Sequence, residues 1–429
     1  MAARTGVAWR RPHYAWIVLA VTFATLLVAG ATRATPGVLI VPLEQHFGWS
    51  RATISLAVSL NLVLFGLMGP FSAALVEYLG ARRTMMGALL LVGTGVALTS
   101  LMEHVWQLVL LWGVVVGAGT GMMALALGAT VVNRWFTEKR GFAMGILTAS
   151  NATGQLLFLP LLASLVEAYG WRVVSLVVAG FGLAMIPVIA LFMRNHPYDV
   201  ASNRYGEPGE ALAPVRSLQN PAIMALRTLA TAARSLDFWL LFFSFYICIC
   251  GLSTNGLIGT HFIPLCFDHG IPEVASASLL AVIGAFDFVG TLASGWLSDR
   301  VNNRVLLFWY YGLRGLSLLF LPYAFDISFY GLSVFAIFYG LDWVATVPPT
   351  VRLTADVFGR EKSGLVFGWI FTAHQLGAAT AAFGAGAIRT DTGNYMLAFM
   401  ISGAFCLLAA VMVLGIGRKP LSPIPAIAE

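Results

Sequence analysis

Charge is what this chain has least of. Only 10% of its 429 residues are Asp, Glu, Lys or Arg, against roughly a quarter in ordinary globular domains. A water-soluble fold is thereby excluded. Cysteine is nearly as scarce. The four present (Cys248, Cys250, Cys266, Cys406) lie in or beside apolar segments without metal-ligand spacing, so neither a disulfide framework nor a metal centre is expected. No Ser/His/Asp, metal or phosphate-loop constellation occurs at a shared depth. The chain is not expected to be an enzyme, nor to carry a cofactor.

What the chain has in abundance is apolar sequence, 59% of it. It falls into twelve stretches of about 20 residues, each long enough to cross a bilayer core. The predicted spans are 15–39, 54–78, 84–102, 105–132, 142–165, 173–193, 237–263, 275–297, 305–323, 329–350, 364–386 and 396–416. The first follows Arg10 and Arg11 but is too long for a signal-peptide core and lacks a small-residue cleavage site, so it reads as an anchor. The connecting loops are too short for a soluble catalytic domain. One sizeable polar stretch, 194–236, carries Pro197, Gly206, Pro208, Gly209 and Pro214. The expected organisation is a six-helix bundle (1–193), a linker (194–236), and a second six-helix bundle with a short tail (237–429).

Basic residues orient the spans, because cytoplasmic loops are rich in Lys and Arg. With the N-terminus cytoplasmic, all but five of the 25 Lys and Arg residues lie on the cytoplasmic face. Arg51, Arg172 and Arg389 fall on the other face, and Arg33 and Arg314 within spans. Both ends and the linker are expected in the cytoplasm. This asymmetry accounts for the net charge of +6 better than nucleic-acid binding does.

The halves also repeat. At an offset of 222 residues Gly37, Pro42, Leu43 and Gly48 land on Gly259, Pro264, Leu265 and Gly270. At 223, Glu138, Lys139, Gly141, Gly145, Gly154 and Gly170 land on Glu361, Lys362, Gly364, Gly368, Gly377 and Gly393. Two parallel six-helix repeats describe secondary transporters whose site lies at the membrane midplane.

Gly69-Pro-Phe-Ser-Ala-Ala-Leu-Val-Glu77-Tyr-Leu-Gly80-Ala-Arg82-Arg83 resembles the loop between helices 2 and 3 of the major facilitator superfamily, with Glu77 where an Asp is usual. Gly295-Trp-Leu-Ser-Asp299-Arg300, ending in Arg304, is the second copy. The resemblance implies an all-α integral membrane fold of two pseudo-symmetric bundles, with these loops as a cytoplasmic charge latch. Trp135-Phe136-Thr-Glu-Lys139-Arg140-Gly-Phe-Ala143-Met-Gly145, the Phe47-Gly48-Trp49-Ser50-Arg51 run and Asp287 are similar to the monocarboxylate porters and their bacterial relatives. Two features depart from that family. Its helix-8 arginine is Thr291 here, and its acidic-Gly opening of helix 1 is missing before Tyr14-Ala15-Trp16. Drug-antiporter signatures are absent: no arginine introduces Gly117-Ala-Gly119, and Asn151 to Leu162 lacks a Gly-Pro-rich pattern.

An ionisable residue at bilayer depth costs at least about 2.5–3.5 kcal/mol on insertion scales. Arg33, Asp287, Arg314, Asp342 and His374 therefore each need a reason. At about 1.5 Å per helical residue, the last four sit roughly 15–18 Å from the cytoplasmic boundary, a midplane layer. Through the repeat, Asn151 is the counterpart of His374, and Asn255 of Arg33. Asp287 and Arg314, on consecutive antiparallel spans, are expected to pair, either as helix glue or as a proton site, since a low-dielectric site favours a neutral carboxyl. Asp342, before Pro348 and Pro349, is an alternative partner of Arg314 or an independent proton carrier. His374 and Gln375 are a candidate substrate or proton pair. Arg33 either snorkels outward or binds a carboxylate with its planar fork. Trp343, Trp369 and Phe286 are candidates to line the cavity.

The expectation is an alternating-access transporter, acting as a monomer in a plasma membrane, expected to be a bacterial inner membrane, that moves a small organic anion with a proton. Arg33, Arg314, Asn151, His374, Gln375 and Asn255 are its candidate substrate contacts. Asp287, Asp342 and His374 are its candidate proton carriers. An exporter of amphipathic metabolites or drugs, or a membrane sensor with a transporter fold, are the alternatives.

Overall fold

The computed structural model describes residues 13–207, 220–249, 251–325, 327 and 329–417, and it is helical almost throughout. Twelve long helices run back and forth: α1 (Tyr14–Phe47), α2 (Arg51–Leu79), α3 (Ala81–Thr99), α4 (Val105–Trp135), α5 (Arg140–Tyr169), α6 (Trp171–Phe192), α7 (Leu236–Asp268), α8 (Glu273–Ser298), α9 (Asn303–Ala324), α10 (Phe329–Asp342 continued by Val347–Phe358), α11 (Arg360–Thr392) and α12 (Met396–Val413). Among the described residues nine are long and apolar enough to cross a membrane; α3, α5 and α11 complete the set. The end bearing the described linker residues, 194–207 and 220–236, is the linker face.

Most helices overrun their predicted spans. α1 continues to Phe47 and α11 covers 360–392. The extra turns carry Glu44, His46, Thr390 and Asp391, which hydropathy rejects although the backbone bonds of a helix continue into water. The region between α6 and α7 also holds structure that its polarity concealed. Tyr205 is bonded to Trp135 and Thr137 at the end of α4, and a linker helix, Pro221–Ala232, lies across α2 and α11. Trp369 of α11 donates its indole N–H to Ala225 of this helix, 2.9 Å away.

The repeat is visible in the backbone. Gly48 and Gly270 turn with φ of +68° and +76°, and Gly170 and Gly393 both with +80°. L-residues with a Cβ rarely adopt that conformation. Gly37 and Gly259, another matched pair, meet where α1 crosses α7: a Cβ on Gly37 would stand 3.0 Å from the Gly259 carbonyl oxygen. Helices of the two halves also pack as α2 on α11 and α5 on α8.

Candidate functional site

α10 is broken between Asp342 and Val347. Pro348 and Pro349 supply no N–H, so the carbonyls one turn earlier need other donors. The charged midplane residues gather at this break. Arg314 of α9, 1% exposed, donates from Nε to Oδ2 of Asp342 at 2.8 Å. Its Nη2 donates to the carbonyls of Asp342 and Trp343, and its Nη1 to the hydroxyl of Thr254 on α7. The expected Asp287–Arg314 pair is thus replaced by Asp342–Arg314. Matched depth brought all three residues together, but the rotation of each helix about its axis decided the partner. Asp287, also buried, accepts from the backbone N–H of Val344 at 2.8 Å and from the hydroxyl of Thr291 at 2.9 Å. Thr291, which stands where the family arginine is expected, has become a ligand of the aspartate.

A small cavity, about 50 Å³, lies between the halves. Arg33 of α1 lines it with Asn61, Asn255, Ile283, Gly284 and Trp343. The guanidinium lies over the Phe65 ring, 4.6 Å from its centre. Arg33 therefore faces inward and does not snorkel. Its repeat counterpart, Asn255, borders the same cavity from a π-helical stretch of α7, Gly251–Ile258. Among the described residues Arg33 is the one charged side chain in the cavity wall.

The other expected contacts are distributed differently. His374 is buried against Phe245 and Phe371, and Gln375 is fully buried where α11 crosses Gly66 of α2. Neither lines the cavity. His374 Nδ1, both polar atoms of Gln375 and Asp342 Oδ1 are buried without a hydrogen-bond partner. Of the candidate aromatic walls, Trp343 takes its place, Phe286 packs on Gly340 of α10, and Trp369 stands between Phe71 and the linker helix. The side chains of Asn151 and Glu77 lie outside those described.

The loop residues expected to form a latch bond within their own half. Arg82 donates to the Ala190 carbonyl, and its backbone N–H to Asn195. Arg83 is exposed. Asp299 pairs with Arg352, Arg300 stacks on Trp296 at 4.2 Å, and Arg304 donates to the Gly417 carbonyl. Around Gly69 and Gly295 an added Cβ would meet nothing within 4 Å.

On the face opposite the linker, an ionic network escaped the sequence reading. Arg51, at the start of α2 and 3% exposed, donates from Nη1 and Nη2 to both carboxylate oxygens of Asp268, the last residue of α7, at 2.8 and 2.7 Å. It also bonds Glu44 of α1 at 2.8 Å and the Tyr395 hydroxyl beside α12 at 3.1 Å. Arg389 of α11 reaches the same Asp268 at 2.8 Å, and buried His261 backs Tyr395 at 3.2 Å. Arg51 and Arg389 had stood out in the sequence only as basic residues on the sparsely charged face. The missed signal was the acidic residues at the ends of neighbouring spans, Glu44 and Asp268.

Comparison with known proteins agrees with this architecture. The profile described as Major Facilitator Superfamily matches residues 21–382. An uncharacterized MFS-type transporter of Bacillus subtilis, YcxA, is 26% identical over 419 residues, covering 94% of this chain and 95% of that protein. Monocarboxylate transporter 13 of Rattus norvegicus is 27% identical over 396 residues, covering 91% of this chain and 86% of its own. Among solved structures, the xylose transporter XylE of E. coli, partially occluded and inward open, superposes with a TM-score of 0.70 at 14% identity, over 95% of this chain and 100% of that one. A bacterial homolog of the human lysosomal transporter Spinster gives 0.68 at 16% identity, over 96% and 100%. At these identities the two structures speak for the fold alone.

Proposed function

This chain belongs to the major facilitator superfamily, and from that premise we propose that it carries a small organic anion, of the monocarboxylate class, together with a proton by alternating access. The observation that carries the reading is Arg33 in the wall of the central cavity, while Arg314 is neutralised by Asp342. A cavity whose charged wall residue is a planar cation selects for carboxylate, which the guanidinium fork can grip bidentately. The names of the relatives at 27% identity support the same substrate class.

Asp287 is the proton carrier in this reading. It is buried, its bonds come from neutral donors, and Arg314, the nearby cation, is committed to Asp342. A proton there removes a negative charge one turn of α8 from the cavity wall at Ile283 and Gly284, where Arg33 meets the anion. Residues 1–193 and 237–429 act as two rocking bundles joined by 194–236, with both ends in the cytoplasm of a cell whose plasma membrane holds the protein as a monomer. The Arg51–Asp268 network then closes the outer side, since Arg51 belongs to one bundle and Asp268 to the other.

Purified protein in liposomes, loaded with unlabelled carboxylates, should show counterflow of a labelled monocarboxylate. An inward proton gradient should drive its accumulation. Absence of counterflow across a panel of carboxylates would remove the anion, and accumulation indifferent to pH gradient and protonophore would remove the proton.

A further inference from the structure

The break in α10 is held from outside the helix, and the side chains holding it come from one stripe of α8 and one residue of α9. Along α8, Ile283, Asp287, Gly290 and Ser294 recur at the helical spacing that places residues on one face. Gly290 lets α10 lie directly on that face, for a Cβ there would overlap the Leu341 carbonyl oxygen at 1.9 Å. Gly340 makes the reciprocal approach to the Ile283 carbonyl, 2.5 Å from its own would-be Cβ. Backbone therefore meets backbone at the break.

Four of the backbone groups freed there find a side chain. The N–H of Val344 donates to Asp287 at 2.8 Å. The carbonyl of Ala345, which would have bonded the absent N–H of Pro349, accepts from the Ser294 hydroxyl. The carbonyls of Asp342 and Trp343 accept from Arg314. Unpaired backbone polar groups at membrane depth are not tolerated, so these caps are what permits an irregular turn here. Trp343 sits between them: its own carbonyl is held by Arg314 and the next N–H by Asp287. Its side chain stands in the cavity wall with Arg33.

We propose that Ser294 and Asp287 are positioning residues: they clamp the α10 break, and through it set Trp343 as the wall that faces Arg33 across the substrate cavity. Ser294 has no other part in the site. Asp287 has two parts in this account, an oxygen acceptor for Val344 and a proton carrier, and only the first requires no charge. The link from clamp to substrate rests on the reading of that cavity as the anion site.

Hydrogen–deuterium exchange of the segment 341–347 in the purified full chain tests the clamp without reference to transport. Ser294→Ala and Asp287→Ala should each speed exchange there by about tenfold or more, the order expected for losing one strong hydrogen bond. Asp287→Asn keeps an acceptor oxygen and should stay within about twofold of the wild type. Unchanged exchange in both alanine variants, in protein that purifies as a monodisperse species, would overturn the clamp. The second arm is counterflow of a labelled monocarboxylate. Ser294→Ala should raise the half-saturating concentration severalfold while the maximal rate is kept. Faster exchange at 341–347 with unchanged half-saturation would overturn the positioning of Trp343. Absence of counterflow in the wild type would instead remove the anion reading and leave the clamp to be decided by exchange alone.

Discussion

Arg314 and Asp342 hold each other at 2.8 Å in the middle of the membrane, and Asp287, one helix away, is left to the neutral donors Val344 and Thr291. Three charges at one depth are thus divided into a closed pair and a carboxyl group bonded only by neutral donors.

The closed pair should behave as structure. Asp342→Asn alone leaves a buried guanidinium without its counter-charge, which costs about 3–5 kcal/mol in comparable buried pairs. Combining it with Arg314→Gln should restore part of that loss. Melting temperatures of the detergent-purified variants read this directly, and a double variant no more stable than Asp342→Asn would contradict the pairing.

Asp287→Asn should melt close to the wild type, since the amide oxygen still accepts from Val344 and Thr291. Transport should split. The variant cannot take up and release a proton, so accumulation under a pH gradient should vanish while exchange of labelled for unlabelled anion at equal pH persists. Loss of both in a well-folded variant would make Asp287 a structural residue only.

Arg33→Gln should weaken anion affinity by roughly ten- to a hundredfold, the range for a charged hydrogen bond of about 1.5–3 kcal/mol, with little effect on melting. Arg33→Lys should recover only part, because an ammonium lacks the planar fork. Half-saturation in counterflow measures both, and equal affinity in Arg33→Gln would move the anion site elsewhere.

Arg51→Gln should loosen the face opposite the linker. Ser55, fully buried one turn below Arg51 against Gly386, offers a reporter. Ser55→Cys should react with a membrane-impermeant maleimide from outside, over the parent background, about tenfold faster when Arg51→Gln or Asp268→Asn is added. No acceleration would mean that the network does not gate that face.

Orientation is tested at the linker. Asn203→Cys, at a partly exposed position of the irregular linker, should be labelled by the impermeant reagent in inside-out vesicles and spared in intact cells. The reverse pattern would invert the topology.

Much of the fold was legible because bilayer thickness sets a length that apolar runs must meet, and because the repeat recurs at nearly one offset. The midplane layer was legible for a similar reason, since residue counts from a loop give depth. What counts along an axis cannot give is rotation about it. Arg314 therefore chose Asp342, while Gln375 turned towards α2 and His374 towards Phe245 of α7, both away from the cavity, with no linear signal for any of them. The linker helix Pro221–Ala232 was hidden by the polar, proline-bearing sequence around it. The Arg51 network was overlooked because charges at span ends are common, and four of them become one cluster only when helix tilt brings α1, α2, α7 and α11 together.

In the proposed rocking of the two bundles, the bare contact between Gly37 and Gly259 would serve as a fulcrum. Where α1 crosses α7 no side chain stands between the two main chains, so nothing there has to repack when one helix rolls over the other. The two glycines are equivalent under the repeat, and a pivot on that symmetry axis is indifferent to which mouth opens. Bias towards one side would then come from asymmetric features placed away from it, such as the Arg51–Asp268 bonds far out on one arm of the lever.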